Sequence, residues 1–122
     1  MDGHVKRIAV VSTGGTIEKT YDEYQGILAN KVNVLDVMLA SLQLRGIAIE
    51  RVSLMNKDSL EMSDDDHAQI AEAAHELAER HDGVVIVHGT DALATSGERT
   101  FSAVSNPPTP IIFTGAMRPY EL

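Results

Sequence analysis

Residues 7–15 read RIAVVSTGG, a run dominated by Ile, Ala and Val that ends directly in a pair of glycines. A short apolar run without polar alternation marks a strand covered on both faces, and paired glycines at its end mark a tight turn. The same unit recurs along the chain. Val84–Val87 (VVIV) is the clearest example and leads into His88-Gly89, while Ile111–Phe113 leads into Thr114-Gly115. Ile47, Ile49 and Val52 suggest a further strand, interrupted by Glu50 and Arg51.

Helical patterns separate these runs. Asn33–Leu44 carries apolar residues at 34, 35, 38, 39 and 42, the spacing of one helix face, and Gly46 stops it. Ser63 with Asp66 resembles a capping box and opens a helix to about Arg80, with Ile70, Ala74 and Leu77 facing inward. Asp64, Asp65 and Asp66 suit the positive end of its dipole. Ala92–Val104 is a third helix, ended by Asn106-Pro107-Pro108. The order β-α-β-α-β-α-β predicts a single α/β domain with an open, mainly parallel sheet and helices on both faces. This is a three-layer arrangement of Rossmann or flavodoxin type. Residues 18–30 are too many for a simple turn, which predicts a small hairpin or a mobile lid.

Composition narrows the chemistry. A chain of 122 residues makes one domain. Its ten basic and eighteen acidic side chains give a net charge of −8, which weighs against a phosphate-tracking nucleic-acid binder. The lack of cysteine excludes a thiolate nucleophile or thiolate metal site. No apolar run approaches the ~20 residues of a membrane span, and no apolar signal core follows MDGHVKR. A cytoplasmic protein with neither nucleic-acid nor membrane partners is expected. His67, His75 and His81 lie on or just after the long helix without the carboxylates of a metal site, and are expected on its solvated face. GxxxxGK[ST] and GxGxxG are both missing, and neither a metal nor a cofactor is expected.

Ligands of open α/β sheets bind at the carboxyl ends of the strands. Four segments are therefore expected at one edge: Thr13-Gly14-Gly15-Thr16, Asn56-Lys57-Asp58-Ser59, His88-Gly89-Thr90-Asp91 and Thr114-Gly115-Ala116-Met117. Singly, each has a plain structural explanation. Gly14-Gly15 makes a turn, Asp91 caps the following helix, and His88 is a satisfied, partly buried histidine. Together they gather hydroxyls, carboxylates, glycines and Lys57. A threonine hydroxyl can attack a carbonyl when a neighbour takes its proton and backbone N–H groups hold the oxyanion. A second threonine with Asp91 would supply the activating pair, a triad logic without histidine.

Thr13-Gly14-Gly15-Thr16-Ile17, placed after an apolar strand, resembles the TGGTI signature of the bacterial-type L-asparaginase family. His88-Gly89-Thr90-Asp91 resembles its HGTDT signature, Asp58–Met62 (DSLEM) its substrate loop, and Thr114–Pro119 (TGAMRP) its GAMRP segment. The resemblance runs in the family's order from about residue 7 to 119. It implies cofactor-free hydrolysis of a small amide such as asparagine, with release of ammonia. It makes Thr16 the nucleophile and Thr90 with Asp91 the second threonine and its carboxylate. Ser59 and Asp91 would hold the substrate's carboxylate and amino group, with Asp58 in the same loop. Gly15 and the Thr90 amide would line the oxyanion site, with Gly89 among the substrate-binding residues.

The family's loop tyrosine aligns by spacing with Ile27, with Tyr21 and Tyr24 close before it, and Tyr24 is the catalytic candidate. Leu60 stands where the family often has a polar residue, and Ala92 where it has a threonine. The family's partner lysine and its smaller C-terminal domain, which helps complete the site across a dimer interface, fall beyond Leu122. A fragment or reduced version of the family, forming a homo-oligomer, is expected. The open edge at Ile111–Phe113 points the same way. Two functions follow: an asparaginase-like amidohydrolase, or a module of the same fold that binds a small amino acid or dicarboxylate without turnover.

Overall fold

The computed structural model describes residues 5–15, 20–22, 27–29, 34–42 and 44–117. Along the chain the elements are β1 (Lys6–Ser12), β2 (Thr20–Asp22), β3 (Ile27–Ala29), α1 (Val34–Ala40) and β4 (Ile47–Ser53). A 3-10 turn at Ser59–Glu61 follows, then α2 (Asp64–Arg80), β5 (Gly83–Val87), α3 (Leu93–Ala103) and β6 (Ile111–Thr114). Four strands form one sheet in the order β4-β1-β5-β6, and every pairing is parallel.

Side-chain alternation sorts the two faces. Ala9, Val11, Val84 and Ile86 point to one side and pack on Ile70, Ala74, Leu77 and Ala78 of α2. Val10 and Val87 point to the other and pack on Leu35 of α1, with Ile8, Leu39, Ile49 and Val85 around them. Helix α3 lies alongside α2. One face is therefore covered by α1 and the other by α2 and α3, as right-handed crossovers running in opposite directions from β1 require. Glu50 and Arg51, the polar break in β4, are each held by a helix. Glu50 Oε1 lies 2.7 Å from His81 Nε2 beside α2, while Arg51 Nε donates to Asp36 of α1 at 2.6 Å.

The capping box is present: Ser63 Oγ accepts from the Asp66 N–H, and the Asp66 carboxylate accepts from the Ser63 N–H. The expected hairpin is present as β2 and β3, paired antiparallel. The lid expectation falls largely on residues 18–19, 23–26 and 30, outside the described ones.

Three expectations need correction. Helix α1 stops at Ala40, not Leu44, because the chain tightens into i−3 bonds: Leu42 N–H donates to the Leu39 carbonyl and Ser41 Oγ to the Met38 carbonyl. His67 and His81 are buried, not solvated. His81 bridges the Leu77 carbonyl and Glu50, and His67 reaches Ser96 on α3. Only His75 of the three is exposed.

The far side of α3 is less finished. Phe101 is 85 % exposed and Ile112 of the outer strand 55 %. A groove of about 520 Å³ separates α3 from β6, lined by Gly97, Phe101, Val104, Pro107, Ile111 and Phe113. Among the described residues, no helix is long and apolar enough to cross a membrane.

Candidate active site

The chain's direction of travel across the sheet reverses between β1 and β5, where an open α/β sheet leaves its ligand crevice. Backbone bonds lace the four strand ends together there. Leu54 N–H donates to the Ser12 carbonyl, Lys57 N–H to the Thr13 carbonyl, Thr13 N–H to the Val87 carbonyl and His88 N–H to the Thr114 carbonyl. Thr13 is fully buried, and its hydroxyl also donates to the Val87 carbonyl. All four loops expected at one edge are thus brought to one edge.

Glycine is required twice in the first loop. Gly14 has φ 112° and Gly15 φ 96°, which side-chain-bearing residues rarely adopt. A Cβ on Gly14 would lie 2.5 Å from the Lys57 carbonyl oxygen, and one on Gly15 2.7 Å from the Gly89 nitrogen. The first signature loop is docked by backbone contact onto both the second and the third. Gly89 in turn rests on Ser59: a Cβ there would lie 2.9 Å from Ser59 Oγ.

Ser59 is 3 % exposed, and its hydroxyl oxygen accepts the Ala92 N–H at 3.2 Å. The expected cap at Asp91 is therefore corrected. The cap position of α3 is Ala92, which has no side-chain bond, and the serine of another loop serves the helix start instead. Asp91 and Thr90 are left exposed at the carboxyl end of the sheet. Asp58 is exposed too, with Oδ1 accepting the Leu60 N–H at 3.0 Å, so it caps the 3-10 turn.

Lys57 lies at this edge, but its ammonium bonds both Asp66 oxygens at 2.8 and 3.0 Å. That ammonium, reinforced by the Ser63 backbone N–H, holds the Asp66 carboxyl below the usual carboxylate range. His88 is fully buried, more so than expected, and satisfied as expected. Burial pushes its imidazole below the ordinary histidine range; the Gly89 carbonyl opposes this and the His67 ring adds to it. Among the described residues, no group of three His, Asp or Glu side chains could hold a metal ion.

Gly15, Asp58, Ser59, Gly89, Thr90 and Asp91 thus belong to contacting loops, whereas Thr16 and Tyr24 fall outside the described residues. Residue-by-residue reading missed His67 and Ser96, which sit under His88. The signal in the sequence was the four-residue spacing of Ser96 and Thr100, which puts both on one stripe of α3.

The fold is that of a doubly wound α/β domain. More narrowly, the chain belongs to the asparaginase family: residues 7–122 match the family model described as Asparaginase, N-terminal. It is 35 % identical over 117 residues to an L-asparaginase of Thermococcus kodakarensis, covering 93 % of this chain and 34 % of that protein. The solved structure of the thermostable L-asparaginase from that organism superposes with a TM-score of 0.82 at 34 % identity, over 93 % of this chain and 34 % of the other. A probable cytoplasmic L-asparaginase from Campylobacter jejuni superposes with a TM-score of 0.75 at 32 % identity, over 93 % and 36 %. A glutamyl-tRNA(Gln) amidotransferase component of Halobacterium salinarum is 35 % identical over 119 residues, covering 96 % of this chain and 28 % of its own length. The chain spans about a third of the length of these relatives.

Proposed function

We propose that this chain carries the amide-binding α/β part of an asparaginase-type amidohydrolase, acting on the side-chain amide of L-asparagine or a similar small amide. The observation that carries the reading is the backbone docking of Gly15 on Gly89, which joins the two signature loops at the strand-order reversal. In this reading Thr16 Oγ attacks the amide carbon, forming a C–O bond as its proton passes toward Thr90 and Asp91. The oxyanion is held by backbone N–H groups around Gly15 and Thr90, which lowers the barrier. Collapse breaks the C–N bond, the proton leaves with ammonia, and water then cleaves the ester to release aspartate and restore Thr16.

Tyr24 would supply a further catalytic hydroxyl. Asp91, whose carboxylate is not occupied by capping, would meet the substrate ammonium. Ser59, whose oxygen already accepts a backbone N–H, keeps its hydroxyl proton to donate to the substrate carboxylate, with Asp58 and Gly89 flanking it. The same reading makes the protein a cytoplasmic homo-oligomer that needs no cofactor. The relatives named for an amidotransferase fit the same elementary chemistry at an amide.

One observation favours the non-catalytic alternative. Lys57 is the lysine of these loops, and its ammonium is bonded to Asp66, leaving the Thr90–Asp91 pair without it. Ammonia release from asparagine and glutamine, compared between the parent and Thr16→Ala, separates the two. Release lost in the variant supports the enzyme. Aspartate binding without release from either protein supports a binding module, and neither binding nor release overturns both.

A further inference from the structure

Three buried polar side chains meet beneath the Gly89–Thr90 loop, and the chemistry above uses none of them. His88 and Ser96 are fully buried and His67 is 5 % exposed. His88 Nδ1 lies 2.7 Å from the Gly89 carbonyl oxygen, His88 Nε2 2.7 Å from Ser96 Oγ, and Ser96 Oγ 2.5 Å from His67 Nδ1. They come from three elements: α2, α3 and the loop after β5.

The direction of each bond can be deduced. A carbonyl oxygen only accepts, so His88 Nδ1 bears the hydrogen. The ring is fully buried against Phe113, with centroids 6.2 Å apart, and among the described residues its two nitrogens meet only a carbonyl and a hydroxyl. Such a site disfavours the imidazolium, and Nε2 then offers a lone pair. The Ser96 hydroxyl donates into it, and its oxygen accepts from His67 Nδ1–H. Every hydrogen bond runs one way, from His67 through Ser96 and His88 to the Gly89 carbonyl.

What lies at the end is a peptide unit. The Gly89 carbonyl and the Thr90 N–H share one planar peptide bond, trans as are all those described, and point in opposite directions. Anchoring the carbonyl inward on His88 turns the Thr90 N–H away from the core. Gly15 docks at Gly89 itself, and Thr90 Cγ2 lies 3.4 Å from a Cβ placed on Gly115, so the peptide is flanked by two other loops of the crevice. We infer that His67, Ser96 and His88 are positioning residues that aim the Thr90 N–H into the crevice as a hydrogen-bond donor to the reacting oxygen. The identity of that oxygen rests on the amide-hydrolysis reading; the hydrogen-bond chain itself does not.

Nitrogen-15 histidine NMR on the full chain reads the bond directions. At pH 7 the expected result is a neutral His88 protonated on Nδ1, and a His67 whose Nδ1 carries hydrogen. A His88 that is cationic, or protonated only on Nε2, would overturn the inference. Ser96→Ala cuts the chain while favouring the helix. It should move the Thr90 amide resonance and weaken aspartate binding about tenfold, roughly the loss of one buried hydrogen bond. Ser96→Thr should restore both. Parent-like Thr90 resonance and affinity in Ser96→Ala would also overturn the inference. If the parent binds no aspartate, the amide-site reading fails, while the tautomer and the Thr90 resonance still decide the chain.

Discussion

The carboxyl ends of β1 and β5 and the outer flank formed by α3 and β6 are built to different standards. At the first, backbone bonds tie each loop to its neighbour, and the buried hydroxyl of Thr13 and ring of His88 have partners. At the second, Phe101 and Ile112 face solvent, and Thr100 Oγ1 is buried with no hydrogen-bond partner among the described residues. Both regions are rich in small residues. The difference is that at the strand-order reversal three loops must touch, whereas the flank borders a groove. A close-packed interior leaves no slack for added volume, so the centre should resist substitution far more than the flank.

The largest expected effect tests that contrast at its tightest point. Gly15→Ala forces a side chain into φ 96° and sets a Cβ 2.7 Å from the Gly89 nitrogen. Strain and clash together should cost about 3 kcal/mol or more in urea unfolding. A loss below ~1 kcal/mol would show that the two loops are not docked.

The flank should respond in the opposite direction. Thr100→Val keeps the shape and removes a buried hydroxyl that has no partner among the described residues, so stability should rise by about 1 kcal/mol. Destabilisation would mean that the hydroxyl is bonded in solution.

Acid should act on the centre first, and with a definite sign. His88 is held neutral by burial, so its folded pKa lies below that of the unfolded chain, near 6.5. The unfolded chain therefore takes up a proton that the folded one refuses. This contribution is fully present above about pH 6.5 and declines as the pH falls below it. The Asp66 carboxyl, held low chiefly by Lys57, adds a second decline only below the ordinary carboxylate range near 4. Urea midpoints measured from pH 8 to 3 should fall in two stages. A flat profile down to pH 5 would contradict the neutral, buried His88.

The smallest effect on stability is expected at Phe101. Phe101→Ser alters an 85 % exposed side chain and should change unfolding by no more than ~0.5 kcal/mol. If the flank mediates self-association, light scattering should nonetheless show a smaller average mass. Unchanged mass would remove the flank as the contact surface.

How far the sequence reveals this contrast depends on the range of the interactions. The central strands are legible because a parallel sheet buries both faces, and RIAVVS and VVIV carry that demand locally. The α2 capping box is legible because Ser63 and Asp66 are three residues apart. The α3 cap is not, since it comes from Ser59, thirty-three residues before Ala92. The same applies to His67, whose helix pattern suggests solvent until Ser96, twenty-nine residues on, is brought against it. The candidate loops could be named in advance because topology sends all strand ends to one edge. Which hydroxyl serves the helix start, and which carboxylate is left out of it, is settled only by that long-range packing.

Asp91 concentrates this question. It makes no capping bond to α3, so Asp91→Asn should leave the melting temperature unchanged. If its carboxylate meets a substrate ammonium, losing that charge-assisted bond should cost about 1.5–3 kcal/mol of binding. The decisive measurement is calorimetric titration of aspartate into the parent and into Asp91→Asn, with thermal unfolding of both alongside. Binding at least tenfold weaker in an equally stable variant is the expected result. Equal affinity for aspartate in the two proteins would contradict the amino-acid site at this crevice.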